Sequence, residues 1–127
     1  MSYPDWITPG AKVVCYGDGS GWRPENVTVT TILRVNKTSF TVNDRNKTRF
    51  KLETQSVRQG GNYGQERYCV PYDSPKGKAA RERARWRNAT HAVGVAYRDW
   101  DRDSSDANRD ALIAALRKVP DRPQGVR

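Results

Sequence analysis

The chain has 127 residues, of which 35% are hydrophobic and 29% charged, with a formal net charge of +9. That length suits one domain, or one domain with an appended helical arm, and the composition lacks the low-complexity bias of a disordered chain. The charge favours acidic partners, nucleic acid first, then an anionic membrane or an acidic protein face, against the alternative that the basicity serves solubility alone.

The first residues, Met1-Ser2-Tyr3-Pro4-Asp5-Trp6, form neither a basic nor an apolar leader region. No signal peptide is expected, and the expected location is the cytoplasm. No apolar run approaches the ~18 residues that a membrane span needs. After Thr8-Pro9-Gly10, residues Lys12 to Tyr16 read as a short strand, and Asp18-Gly19-Ser20-Gly21 as a turn. From Val27 to Val35 the pattern alternates, placing Val27, Val29, Thr31, Leu33 and Val35 on one face.

Asn36-Lys37 begins a turn, Phe40 and Val42 mark the next strand, and Asn43 to Lys47 turn again. Phe50 and Leu52 mark a fourth strand, and Tyr68, Val70 and Tyr72 a fifth. Four to five short strands joined by tight turns predict a small, closed or nearly closed antiparallel β-barrel over residues 8–73. Val29, Leu33, Phe40, Val42 and Phe50 are its expected interior. Cys15 and Cys69 each fall in a strand, without zinc spacing or a Cys-x-x-Cys motif. In a reducing cytoplasm two buried thiols are expected in preference to a disulfide.

Beyond Asp73 the period changes to that of a helix. Ser74 and Pro75 suit an N-cap and first helical residue, and Trp86, Ala89, Val93, Ala96, Tyr97 and Trp100 form one stripe. A second helix starts near Ser105, with Ala111, Leu112, Ala115, Leu116 and Val119 on its apolar face, and Pro120 ends it. The predicted organisation is thus α+β: a barrel over 8–73, a two-helix segment over 74–119 with a basic first half, and a flexible tail over 120–127.

The barrel half resembles the small β-barrel-domain accessory proteins encoded by actinobacteriophages. The likeness is carried by Val27-Thr28-Val29, Phe40-Thr41-Val42, Arg49-Phe50-Lys51-Leu52-Glu53-Thr54 and Gly60-Gly61-Asn62-Tyr63, within residues 9–73. This chain departs from that pattern in a long Asp18–Glu25 insertion and a more basic first helix. The resemblance implies a barrel and a phage accessory role in the host cytoplasm; it implies no reaction.

Catalytic signals are weak. The single histidine, His91, falls on the polar side of the first helix, and no phosphate-binding glycine loop is present, so an enzyme is not expected. The strongest feature is a basic run: between residues 76 and 87, Lys76, Lys78, Arg81, Arg83, Arg85 and Arg87 stand against Glu82 alone, a net charge of +5. Lys78, Arg81 and Arg85 lie on one flank of the helix, and Lys76, Arg83 and Arg87 on the other. Cations at a helix N-terminus oppose the macrodipole, and an anionic partner relieves that opposition. The alternative is a solvated face screened by salt.

Asp99, Asp101, Asp103 and Asp110 fall at positions 1, 3, 5 and 12 of an EF-hand-like spacing. Ser104 replaces the turn glycine, and Arg102 and Arg109 repel a cation, so helix capping is the better reading and no metal or cofactor is expected. Residues 99–110 carry net charge −3 and complement the +5 run, which points to a homodimer through the first helix. Trp22, Arg23 and Tyr63, in predicted loops, are candidates for stacking on bases; the competing role for Trp6 and Trp22 is closure of the barrel ends. The expected function is non-enzymatic binding of DNA or RNA through phosphate contacts with little sequence readout. The alternative is a phage effector that grips and inhibits an acidic host protein through the same residues.

Overall fold

A computed structural model describes residues 3–17, 26–59 and 65–123. Six strands precede two helices: β1 (Lys12–Gly17), β2 (Thr28–Val35), β3 (Ser39–Val42), β4 (Arg49–Lys51), β5 (Ser56–Gln59), β6 (Gln65–Pro71), α1 (Pro75–Arg102) and α2 (Asp106–Arg117). All ladders are antiparallel, in the order β4-β3-β2-β1-β6-β5. The two outer strands, β4 and β5, are consecutive in sequence and lie beside each other, so the sheet curls into a nearly closed barrel. The fold is therefore α+β, a small barrel followed by two C-terminal helices.

The interior is built from alternate residues of five of the strands: Val13 and Cys15, Ile32, Phe40 and Val42, Phe50, and Cys69. Phe40 stacks on Phe50 at 5.5 Å between ring centroids, and Trp6 meets Phe40 edge-on at 6.0 Å and packs against the core. β5 has no counterpart in the sequence pattern, because its only strongly apolar residue is Val57.

β2 corrects the expected facing. Its first half pairs with β1, which aligns Thr30 with Val13 and Thr28 with Cys15, and so turns the threonines inward. Its second half pairs with β3 after a register shift between Ile32 and Arg34. Ile32 stays in phase with Thr28 and Thr30 and is 2% exposed, whereas Val29 and Leu33, both expected inside, lie on the opposite face and are 46% and 43% exposed. The bulge follows Ile32 and resets the alternation, so that Val35, opposite Phe40, packs against the core. Phe40, Val42 and Phe50 occupy the interior as the pattern predicts.

Cys15 and Cys69 are direct cross-strand partners, both buried and both free thiols. The Cys69 N–H donates to the Gln55 carbonyl at 2.9 Å, toward β5. Its backbone therefore turns away from β1, and the Cys15–Cys69 pair occupies a site without backbone hydrogen bonds, where facing side chains approach most closely. The hydrogen bond that the protonated Cys69 thiol makes with the Cys15 side chain, then burial and the neighbouring Cys15 charge, push the Cys69 thiol far above its ordinary range, against an opposing effect of the Arg67 charge.

Ser74 caps α1 as its sequence position predicts. Its Oγ accepts from the Gly77 N–H at 3.0 Å and donates to the Pro71 carbonyl at 2.6 Å. Gly77 is required by a close approach: a Cβ there would lie 2.5 Å from the Pro71 carbonyl oxygen.

The chain forms two compact units, Met1–Arg81 and Glu82–Arg127, divided within α1. In the second, Ser105 caps α2 by accepting from the Asn108 N–H, and Asn108 Nδ2 donates to the Asp103 and Asp99 carbonyls at 2.9 and 3.3 Å. Asn88, Ala89 and Ala92 of α1 share a groove with Ala111, Ala114, Ala115 and Lys118 of α2, so the helices form a hairpin. No helix among the described residues is long and apolar enough to cross a membrane.

Candidate nucleic-acid interface

The six cations of the basic run all stand on the first half of α1, a regular helix with no acidic residue in its first turn. They are not equivalent. Lys76, Lys78 and Arg85 are exposed, while Arg81, Arg83 and Arg87 are half-buried. Lys76 and Lys78 belong to the barrel unit and Arg85 to the helical unit.

Arg81 is held by the barrel unit. Its Nη2 donates to the Tyr72 carbonyl at 3.2 Å, and its guanidinium stands 3.8 Å from the centroid of the Tyr72 ring. Lys12 Nζ stands 4.0 Å from the same centroid. Tyr72 thus organises two cations from β1 and α1 by attraction to its ring face. Sequence reasoning missed this node. Lys12 and Tyr72 come together only through the β1–β6 ladder, whose end is marked by the Tyr72 N–H donating to the Lys12 carbonyl at 3.1 Å.

Arg85 lines a shallow cleft with Glu82, Pro120, Asp121, Arg122 and Pro123. The Arg122 guanidinium lies 6.0 Å from the Trp86 ring centroid, so residues 120–123 of the tail return to α1. The cleft carries both signs of charge and is not a purely cationic groove. Of the stacking candidates, Trp22, Arg23 and Tyr63 lie outside the described residues. An aromatic pair that the sequence did not single out is Tyr16 and Tyr68, cross-strand partners whose ring centroids are 5.5 Å apart. No motif announces such a pair, because register alone brings it together.

The acidic segment is not an EF-hand-like loop: Asp99 and Asp101 lie within α1, and Asp103 and Ser104 form the connection to α2. Arg109 pairs instead with Asp110 at 3.3 Å and with Asp106 at 3.8 Å. Among the described residues no group of three or more His, Cys, Asp or Glu side chains is placed to hold a metal ion. Comparison with protein-family models, with curated proteins and with solved structures finds no match to this chain.

Proposed function

We propose that this protein binds nucleic acid through phosphate contacts made by the basic first half of α1. The observation that carries the reading is the exposure of Lys76, Lys78 and Arg85 on a helix whose first turn holds no acid. Cations placed there oppose the helix dipole, and a phosphate offsets both that opposition and their mutual repulsion. Side chains that reach phosphates from one helix, without a groove-shaped complement of hydrogen-bonding groups, favour binding with little sequence preference. The role is binding without catalysis.

Arg81 acts in this reading as the anchor that fixes the start of the helix, because Tyr72 engages both its charge and one of its donors. Tyr16 and Tyr68 offer an aromatic surface in the barrel unit. An origin in an actinobacteriophage, with action in the host cytoplasm, belongs to the same proposal and rests on the strand motifs of the barrel half.

The test is a fluorescence-anisotropy titration of labelled duplex DNA and of RNA across a range of salt concentrations. Binding that weakens steeply with salt and is similar for unrelated sequences supports the proposal. Absence of binding at low salt refutes it. In that case a pull-down from host lysate, with and without nuclease, tests whether the same cations grip an acidic protein.

A further inference from the structure

The barrel carries a second basic feature, equal in charge to the run on α1. Residues 34–51 hold six cations, Arg34, Lys37, Arg45, Lys47, Arg49 and Lys51, against one acid, Asp44, a net charge of +5. Asp44 is already engaged: its Oδ1 accepts from the Thr48 N–H at 2.8 Å and its Oδ2 from the Thr48 hydroxyl. The strands β2, β3 and β4 contain no acidic residue. Their register sets three of the cations on one face. Phe40 and Val42 point into the barrel, so Thr41 between them points out. Its cross-strand partners are Arg34 of β2 and Arg49 of β4, and the three form a row across the sheet. Strands lie ~4.8 Å apart, which places the backbones of the two arginines ~10 Å apart with Thr41 between them. The Val42 N–H donates to the Thr48 carbonyl, so the adjacent Thr41–Arg49 pair has no backbone hydrogen bonds and its side chains approach most closely. Lys51 shares the outward face, opposite Ser39.

The row is chemically incomplete. Arg34, Arg49 and Lys51 are exposed, whereas Thr41, the short side chain between two long ones, is 2% exposed. Its Oγ1 is buried and has no hydrogen-bond partner. A buried hydroxyl left unpaired forgoes the bond that water gave it in the unfolded chain, and such groups are rare in folded proteins. Among the described residues no acid pairs with Arg34, Arg49 or Lys51. Three like charges around one unsatisfied hydroxyl suit an oxygen-rich anion. Their number matches a dianion better than a monoanion, and guanidinium groups engage phosphate oxygens in pairs. A terminal phosphate presents three oxygens on a single ester arm and can lower one of them to the floor of the row. A phosphodiester within a strand is a monoanion held back by two arms.

We propose that Arg34, Thr41 and Arg49, with Lys51 beside them, form a site for a phosphate dianion on the outer face of the barrel. The two guanidinium groups hold its oxygens from either side, and the Thr41 hydroxyl donates to an oxygen between them. The same chemistry has two sources, the 5′-phosphate end of a nucleic-acid strand and a small free phosphate. The site uses none of the α1 cations and stands whether or not α1 binds nucleic acid. Only the strand-end source rests on that reading.

Thermal unfolding of the full chain reads this out, in inorganic phosphate and in chloride of equal ionic strength, at a pH where phosphate is a dianion. Phosphate at about ten times its dissociation constant should raise the melting temperature by about 3 °C or more. Arg34→Gln with Arg49→Gln should abolish the shift and leave melting in chloride unchanged. Thr41→Val should at least halve the shift while melting in chloride at the same temperature or higher, because the hydroxyl it removes had no partner. Fluorescence anisotropy then separates the sources, using one oligonucleotide with a 5′-phosphate or a 5′-hydroxyl. Binding about tenfold tighter with the 5′-phosphate, lost in the double arginine variant, assigns the site to strand ends. Equal binding with the melting shift retained assigns it to a small phosphate. Lys78→Ala with Arg85→Ala should weaken both oligonucleotides alike and keep their ratio. If neither oligonucleotide binds, the reading of α1 fails and the melting shift alone decides the barrel site. No shift in phosphate overturns the proposal, as does a shift that survives loss of both arginines. A Thr41→Val variant that melts well below the unmodified chain in chloride also overturns it, because the hydroxyl would then serve the fold.

Discussion

Replacing Gly77 by alanine sets two effects of known sign against each other. Alanine favours a helix interior over glycine by about 1 kcal/mol. At this position, however, the added Cβ would lie 2.5 Å from the Pro71 carbonyl oxygen and 3.0 Å from both the Tyr72 carbonyl oxygen and Ser74 Oγ. Two of the three are backbone atoms, and the third is the cap that starts the helix. Relief must come from moving α1 off the end of β6, an overpacking cost of about 1–3 kcal/mol. The clash outweighs the propensity gain, leaving Gly77→Ala about 1 kcal/mol less stable than the unmodified chain. Gly94→Ala makes the same chemical change with nothing within 4 Å, and in dilute protein it should stabilise by about 1 kcal/mol. Thermal unfolding followed at a helical wavelength should therefore separate the two variants by about 5–10 °C for a chain of this size. Equal stabilisation by both substitutions would refute the close packing of α1 on the β6 end.

Ile32→Ala should cost about 2–5 kcal/mol, whereas Leu33→Ala should change stability by no more than about 0.5 kcal/mol; urea unfolding that ranks them the other way removes the facing of β2 set by its register on β1. Arg81→Ala should destabilise by about 1–2 kcal/mol through loss of the Tyr72 ring contact and carbonyl bond, and Arg81→Lys should recover only part of it; calorimetry on both variants checks this. Cys15 and Cys69 should resist a thiol reagent at neutral pH until denaturant opens the barrel. The folded state holds the Cys69 thiol protonated while the unfolded thiol ionises near its ordinary value of 9.0. Its contribution to stability is thus fully present below that value and declines as pH rises above it. Stability that increased between pH 8 and pH 10 after correction for other groups, as measured on a Cys69→Ala reference, would contradict the assignment.

The elements legible in sequence were those in which local pattern and tertiary role agree. Ser74-Pro75 and Ser105 mark helix starts because capping is a local hydrogen bond, and both serines make it. Phe40, Val42 and Phe50 read correctly because β3 and β4 keep an unbroken alternation. β2 misled because Thr28 and Thr30 share the inward face with Ile32 while Val29 and Leu33 lie outside, an assignment made by the β1 register rather than by hydrophobicity. β5 escaped notice because Ser56–Gln59 offers one apolar side chain. At the candidate interface the basic run was visible as composition, but its division into exposed and anchored cations was not. Arg81 differs from Arg85 only through Tyr72, nine residues before it in sequence and brought within reach by the turn into α1.

The central claim concerns which cations meet phosphate, and the salt dependence of DNA binding measures that directly. Three exposed cations, Lys76, Lys78 and Arg85, should give a slope of log affinity against log salt of about −3, at ~0.9 per phosphate neutralised on duplex DNA. The variant Lys78→Ala with Arg85→Ala removes two of the three and leaves the Arg81 anchor in place. Its slope should flatten by about 2, with affinity falling alike for unrelated sequences. Unchanged slope and affinity in that variant, or no salt-dependent binding by the unmodified chain at low salt, would contradict phosphate recognition by α1.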